Sequence, residues 1–218
     1  MQTPFNNLLN LKQKANIIKT GLFYGNPTIE QAMAMFNPNE TCVNIIKSGV
    51  LNKYYSMPYQ SMTDFSGMSS KKELGEMIAL QKTVTEDDLK FIKQCEEDMS
   101  EVWFNFIKEI NLPEIKKDKL QEFIDLTDGV LYLLKYNYQR PRPLQLAFFY
   151  NMAFYPLIST SANSPAYPSG HSLDAFRVAF LLGKRHPEKS TQLLEFAESV
   201  SMGRVLGGVH YPSDSIIS

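Results

Sequence analysis

Apolar residues recur at helical spacing along most of the chain from about residue 70 onward, and this periodicity is its strongest constraint on the fold. The clearest case is the segment Thr85–Ile110, in which apolar residues repeat every three, four or seven positions: Leu89, Ile92, Met99, Trp103, Phe106 and Ile110. Thr85 precedes acidic residues, as an N-cap does. We find no apolar–polar alternation typical of a strand. The sequence therefore predicts an all-α helical bundle.

Further helices are predicted at residues 28–36, 70–82, 117–137, 143–156, 171–184 and 188–208, with breaks at prolines and at a polar loop near residues 159–168. The first 70 residues contain more turn signals, such as Gly25-Asn26-Pro27. We therefore expect residues 1–70 to form an extension or cap. A chain of 218 residues can bury a proper core, and we place that core in residues 71–218.

The charge and hydropathy of the chain exclude several classes of function. A formal charge of −1 gives no electrostatic footprint for nucleic acid. Lysines interrupt the apolar residues of the first 21 positions, so no signal peptide is predicted. The longest apolar stretches are shorter than the roughly 18 residues of a membrane span. We therefore expect a cytoplasmic or otherwise soluble protein, in which Cys42 and Cys95 are reduced thiols.

An amphipathic segment at Leu8–Ile18 leaves the question of partners open. Its apolar side either packs on the core, contacts another subunit or touches a membrane surface. A homo-oligomer is thus one of the alternatives that the sequence allows.

Three short segments carry groups that can bind an anion or move a proton. The first is Lys135–Pro143, where Lys135, Arg140 and Arg142 gather at a predicted helix end. The second is Pro168-Ser169-Gly170-His171, ahead of a predicted helix. Free N–H groups at a helix start bind anions, and small residues let an oxyanion approach the backbone. Taken alone, each segment is also compatible with ordinary helix capping.

The third segment runs from Arg204 through His210 to Asp214. Pro212 is tolerated in the first turn of a helix, so His210 is predicted at a helix start with Asp214 about one turn further on. A carboxylate there would accept one ring N–H of His210 and leave the other ring nitrogen as a nucleophile. The alternative is a structural histidine beside an N-capping side chain.

Read together, the three segments resemble the type 2 phosphatidic acid phosphatase superfamily, which also includes bacterial class A acid phosphatases and vanadium-dependent haloperoxidases. Its pattern is K-x6-R-P, then P-S-G-H, then S-R-x5-H-x3-D. The chain matches at Lys135, Arg142-Pro143, Pro168 to His171, Arg204, His210 and Asp214. The resemblance covers residues 130–214, is closest in style to the soluble acid phosphatases, and implies an all-α bundle.

The chain departs from the family pattern at three points. Gly203 replaces the usual Ser before the arginine. Arg140-Pro141 duplicates the Arg-Pro pair, so Arg140 and Arg142 are both candidate phosphate ligands, although the family spacing favours Arg142. The sequence also ends at Ser218, shortly after Asp214, whereas family members usually extend that helix. Either a tail is missing or a partner supports this end.

The resemblance implies a metal-independent phosphatase that hydrolyses phosphomonoesters. Three cations, Lys135, Arg142 and Arg204, would bind the phosphoryl oxygens, together with Ser169 and the Gly170 N–H. His210, oriented by Asp214, would form a phosphohistidine, and His171 would protonate the leaving group. Such a mechanism predicts a bell-shaped pH profile centred on the acid side of neutrality. The partner would be a small phosphorylated substrate.

Two other functions remain as alternatives. Vanadate mimics phosphate, so it is expected either as an inhibitor or, if the protein is a haloperoxidase, as a cofactor bound at His210. A phosphatase-like structural or assembly protein is the other alternative. His186, next to Pro187, is predicted in a solvated turn, and the sequence shows no metal ligand set.

Overall fold

The computed structural model of the chain describes residues 67–125, 131, 134–135, 140–158 and 164–216. Its α-helices are, in chain order, α1 Gly67–Leu80, α2 Glu86–Glu97, α3 Met99–Glu109, α4 Lys117–Asp125, α5 Pro143–Phe149, α6 Gly170–Arg185, α7 Ser190–Leu206 and α8 Pro212–Ile216. Short 3-10 turns at Gln81–Thr83 and Pro187–Lys189 follow α1 and precede α7. These residues contain no strand, so the predicted all-α fold is confirmed.

The long helix predicted over Thr85–Ile110 is two helices in the structure, and the break lies at Asp98. Thr85 caps α2 as expected, through a capping box with Asp88. Asp98 leaves the helical conformation, with φ −156° and ψ 88°, and its carboxylate accepts the backbone N–H of Glu101 at 2.9 Å. The same carboxylate pairs with Lys117 of α4 at 2.7 Å. This cap starts a second helix, which apolar periodicity alone does not reveal.

Other predicted helices differ in length from the observed ones. The helix predicted over 143–156 ends at Phe149, and Asn151 has a left-handed φ of 54° that stops it. The helix predicted over 117–137 is described as α4 and again as helical at Leu131 and at 134–135. The predictions for residues 28–36, for Leu8–Ile18, for Cys42 and for nearly all of residues 1–70 lie outside the described residues. Cys95 is a buried free thiol.

The main core forms around α6 and α7, which pack against each other, with α2 beside α7 and α4 beside α6. Ser172 and Ser201 join their site-facing ends through a hydroxyl contact of 2.8 Å. Side chains with at most 2% exposure fill the interior: Trp103, Ile107, Leu120, Ala175, Val178, Leu182, Leu193, Ala197 and Val200. This packing places the N-terminus of α6 beside the C-terminus of α7.

A second core cluster joins α1 to the far end of the sequence. Leu74 and Met77 of α1 pack with Ala147, Val205 and Tyr211. These contacts hold α1 against the turn between α7 and α8. Within the described ranges, none of the helices combines the length and the hydropathy needed to cross a bilayer.

Candidate active site

A glycine turn after α7 places His210 beside Arg204. Gly208 has a φ of +83°, and a Cβ there would lie 2.9 Å from the Cα of Pro156, so the turn needs glycine for both conformation and space. The returning chain donates the backbone N–H of His210 to the carbonyl of Arg204 at 3.3 Å. The turn therefore brings the third predicted segment into one cluster.

The start of α8 positions Asp214 against His210. Pro212 is the first residue of α8, and Asp214 lies one turn from His210, as predicted. Asp214 Oδ2 accepts the backbone N–H of Tyr211 at 2.9 Å and contacts His210 Nδ1 at 3.2 Å. Asp214 is fully buried and His210 is 2% exposed. Both groups therefore interact with protein atoms in place of solvent.

Arg142 determines the tautomer of His210. Its Nη1 lies 3.0 Å from His210 Nε2. A guanidinium has no acceptor, so Nε2 must accept this hydrogen bond with its lone pair. The ring proton then resides on Nδ1 and is donated to Asp214. The result is a neutral imidazole whose unprotonated nitrogen faces a cation.

The Pro168–His171 segment forms the start of α6, as predicted. Ser169 is the N-cap, and its side chain accepts the backbone N–H and the hydroxyl of Ser172. The backbone N–H of Ser169 donates to the carbonyl of Asp214 at 3.0 Å, which ties α6 to α8. A Cβ on Gly170 would lie 2.9 Å from Leu131 Cδ2, so glycine permits the close approach of that side chain.

His171 and Arg204 share a carboxylate, Glu96 of α2. Arg204 Nη1 pairs with Glu96 Oε2 at 2.6 Å, and His171 Nε2 lies 4.0 Å from the same oxygen. The Arg204 side chain is 1% exposed, whereas a quarter of the His171 side chain is exposed. His171 is therefore the more accessible of the two histidines at the site.

Lys135 and Arg142 are held by backbone oxygens of one loop. Lys135 Nζ donates to the carbonyl of Pro165 at 2.7 Å. Arg142 donates from Nε to the carbonyl of Ser164 at 2.6 Å, from Nη2 to the Ser164 hydroxyl at 3.0 Å, and from Nη1 to the carbonyl of Val209 at 2.6 Å. Both cations are buried, at 3% and 4% exposure. These hydrogen bonds go to neutral oxygens, and the charge of Asp214 acts electrostatically on both cations.

Burial and mutual repulsion shift the pKa values of the site. Burial first, and then the charge of Arg204, lowers the pKa of His171 to about 3, against an opposing effect of Glu96. Burial, followed by Arg142 and Lys135, lowers the pKa of His210 well below its usual value. Burial and Arg142 also lower the pKa of Lys135 well below its usual value. At neutral pH, both histidines are therefore neutral.

Arg140 and Arg142, which the sequence left as alternative phosphate ligands, lie on different sides of the His210–Asp214 pair. Arg142 contacts His210 Nε2, whereas Arg140 contacts Asp214 Oδ1 at 2.5 Å. Arg140 also pairs with Glu73 of α1 at 2.9 Å. The geometry therefore favours Arg142 as the residue that faces a ligand.

Two carboxylates near the site, Glu96 and Glu73, were not predicted from the sequence. Glu96 follows Ile92 by four residues, so it lies on the buried side of an amphipathic helix, and a carboxylate on that stripe was an available signal. Glu73 directly precedes the buried Leu74, and nothing in its local sequence marked it. Among the residues that the structure describes, no three His, Cys, Asp or Glu side chains are arranged to hold a metal ion.

The part of the chain that carries the predicted site residues is similar to a known family. Residues 124–218, which include every predicted site residue, match the model of the PAP2 superfamily. A search of curated proteins gave no match. Members of this superfamily share an all-α fold and are generally phosphatases. Over residues 124–218, the chain is thus similar to the PAP2 superfamily.

Proposed function

We propose that the protein is a metal-independent phosphatase that hydrolyses phosphomonoesters through a phosphohistidine at His210. The observation that carries this proposal is the state of the His210 ring. Its Nδ1 donates to Asp214, and its Nε2 lone pair faces Arg142 inside a buried group of cations. A neutral nitrogen nucleophile beside buried positive charge suits attack on an anionic phosphoryl group.

The cations bind the phosphoryl oxygens in this proposal. Arg142 turns its Nη1 from the His210 lone pair to a phosphoryl oxygen, which frees the nucleophile at the moment the substrate arrives. Lys135 and Arg204 contact the remaining non-bridging oxygens. The backbone N–H of Gly170 and the Ser169 hydroxyl add hydrogen bonds at the start of α6. The bound anion would make charge-assisted hydrogen bonds with these buried cations.

The reaction proceeds in two displacements. His210 Nε2 attacks phosphorus in line, the bond to the ester oxygen breaks, and His171 donates a proton to the leaving alkoxide. Asp214 stabilises the Nδ1 proton as the His210 ring gains positive charge. Water then attacks the phosphohistidine, and neutral His171 accepts its proton. Release of inorganic phosphate restores both histidines.

Substrate binding itself protonates His171. In the free protein burial, and then the charges of Arg204, Lys135 and Arg142, lower the pKa of His171. A bound phosphoryl dianion cancels much of their field, so the pKa of His171 rises in the complex. The general acid is therefore charged only when a substrate occupies the site. This coupling favours activity on the acid side of neutrality.

Rapid alkaline quenching with a phosphorus-labelled phosphomonoester tests the proposal, because phosphohistidine survives base and is lost in acid. We expect a base-stable adduct in the wild type and in His186→Ala, and none in His210→Ala. His186 is the matched control because it lies in a turn, with a 26% exposed side chain, away from the cluster. Undiminished turnover by His210→Ala, or an adduct on another residue, would refute the mechanism. Absence of turnover on a broad substrate panel, together with bromide oxidation in the presence of vanadate and peroxide, would indicate the haloperoxidase alternative.

A further inference from the structure

We propose that Arg140 and Glu73 are positioning residues for the nucleophile: Arg140 holds the Asp214 carboxylate against His210 Nδ1, and Glu73 holds Arg140 and the start of α8. The proposal rests on the proposed function. It also extends the active unit to α1, which lies outside residues 124–218 of the family match. The sequence left Arg140 as a possible phosphate ligand, and its contacts indicate this different role.

The two oxygens of Asp214 have separate tasks. Oδ2 accepts from the backbone of Tyr211 and faces His210 Nδ1, whereas Oδ1 accepts from Arg140 Nη1. A carboxylate bound at both oxygens cannot rotate about its terminal bond without breaking one set of contacts. Arg140 therefore fixes the plane in which Oδ2 meets the His210 ring.

The guanidinium of Arg140 is itself fixed on several sides. Its side chain is 1% exposed and lies 4.0 Å from the centre of the Tyr211 ring. Nη1 also donates to the hydroxyl of Ser213 at 2.6 Å, and Nη2 donates to Ser70 Oγ at 3.1 Å and to Glu73 Oε1 at 2.9 Å. Such a cation has little freedom to swing toward a substrate on the opposite side of His210.

Glu73 links α1 to the same turn that carries Asp214. Its Oε2 accepts the backbone N–H of Ser213 at 2.9 Å and the Ser213 hydroxyl at 2.6 Å, while Oε1 accepts from Arg140. The carboxylate thus occupies the start of α8, where free N–H groups favour negative charge. Glu73 fixes both Arg140 and the backbone one residue before Asp214.

Arg140 also keeps Asp214 charged. Burial raises the pKa of Asp214, and the charge of Arg140 is the first of the effects that oppose the rise. Without Arg140, a fully buried Asp214 is expected to take up a proton. A protonated Asp214 stabilises the His210 cation poorly and no longer selects the Nδ1–H tautomer. Removal of Arg140 should therefore damage catalysis more than phosphate binding.

Kinetics on matched variants of α1 provide the first test. Glu76→Gln is the control for Glu73→Gln, because Glu76 lies on the same helix with a half-exposed side chain. We expect Glu73→Gln and Arg140→Lys to lower kcat by about 10- to 100-fold, as supporting partners of active-site histidines do, while Glu76→Gln changes it by less than about twofold. The dissociation constant for inorganic phosphate should stay within about threefold of wild type in each variant. Weaker phosphate binding at unchanged kcat in the Arg140 variant would overturn the proposal, because it would make Arg140 a ligand.

Nitrogen NMR of histidine-labelled protein provides a readout that needs no turnover. The wild type and Glu76→Gln should show His210 as a neutral Nδ1–H ring, identified by the signals lost in His210→Ala. Arg140→Met should show a mixture of tautomers or a shifted titration of that ring. Folded Arg140→Met with wild-type His210 signals and kcat would overturn the proposal. If Arg140→Met does not fold, Glu73→Gln and Arg140→Lys give the same readout. An inactive wild type would refute the phosphatase proposal, while the NMR comparison would still decide whether Arg140 positions the ring.

Discussion

Lowering the pH from 7 to 5 should destabilise the free protein through His171, and this effect can be isolated from all others. In the folded site, burial and Arg204 lower the pKa of His171 to about 3, so the ring is neutral at both pH values. In the unfolded chain, the ring titrates near its ordinary pKa of 6.5. The unfolded state therefore binds a proton at pH 5 that the folded state does not.

The sign and the size follow from proton linkage. Where the unfolded state binds more protons than the folded state, the free energy of unfolding decreases as the pH falls. His171 therefore destabilises the folded protein progressively as the pH falls from about 6.5 toward about 3. At pH 5, which is about 1.5 units below the pKa of the unfolded state, the free energy of unfolding is lower by about 1.4 kcal/mol per unit, or about 2 kcal/mol in all. His210 shifts in the same direction, whereas the raised pKa of Asp214 acts in the opposite direction.

Urea unfolding of matched histidine variants separates His171 from these other groups. The free energy of unfolding is measured at pH 7 and pH 5 for the wild type, His171→Asn and His186→Asn. We expect the loss between the two pH values to be about 2 kcal/mol smaller in His171→Asn than in the wild type. His186→Asn removes a half-buried histidine at the opposite end of α6 from His171 and should follow the wild type.

Inorganic phosphate supplies a second arm of the same experiment. A bound oxyanion raises the pKa of His171. With saturating phosphate, the decrease in the free energy of unfolding on going to pH 5 should therefore differ less between the wild type and His171→Asn. The reasoning would be refuted if, without phosphate, the free energy of unfolding fell between pH 7 and pH 5 by the same amount in the wild type and in His171→Asn, within about 0.5 kcal/mol. Such a result would mean that the site does not hold His171 neutral.

Three further predictions concern turnover. Asp214→Asn should lower kcat by about 10³- to 10⁴-fold, because the amide no longer orients the His210 ring. Steady-state kinetics on a variant shown to be folded will test this. His171→Asn should slow hydrolysis of alkyl phosphates by about 10²- to 10⁴-fold but of nitrophenyl phosphate by less than about 10-fold, since a good leaving group needs no acid; equal losses would contradict the role. Glu96→Gln should move the basic limb of the kcat–pH profile to lower pH, because Glu96 raises the pKa of His171; an unmoved limb would show that the carboxylate does not act on His171.

The sequence predicted the all-α fold and the local structure around Ser169, His210 and Asp214, because both depend on short-range patterns. The spacing from His210 to Asp214 is one helical turn, and Pro212 marks the start of that turn. Ser169 was recognisable as an N-cap for the same reason. Each of these features depends on residues no more than four positions apart, where backbone geometry dictates which groups meet.

The break at Asp98 shows where local reasoning failed. The apolar periodicity runs through both α2 and α3, so it predicts one helix. The interruption depends on a side chain that caps the second helix and pairs with Lys117 in α4. That partner lies 19 residues away, and no pattern within a single helix indicates it. Asp98 is nevertheless a good N-cap residue, so its position inside a long predicted helix was a weak signal.

The sequence favoured Arg142 as the phosphate ligand only through the family spacing, and the role of Arg140 could not be predicted for a related reason. Each arginine precedes a proline, and both follow Lys135 closely, so their local contexts are alike. Their roles diverge because of distant partners: Glu73 lies 67 residues before Arg140, while His210 lies 68 residues after Arg142. Arg140 lies between two carboxylates, whereas Arg142 contacts the His210 ring and two backbone carbonyls.

The partners of these two arginines explain why similar residues would perform different work. A cation between two carboxylates gains little from a further anion, so Arg140 serves the structure around the nucleophile. Arg142 instead faces the unprotonated nitrogen of His210, so it is placed to meet a phosphoryl group there. The atom that each arginine contacts on the His210–Asp214 pair, more than its position in a motif, thus indicates which of the two faces a ligand.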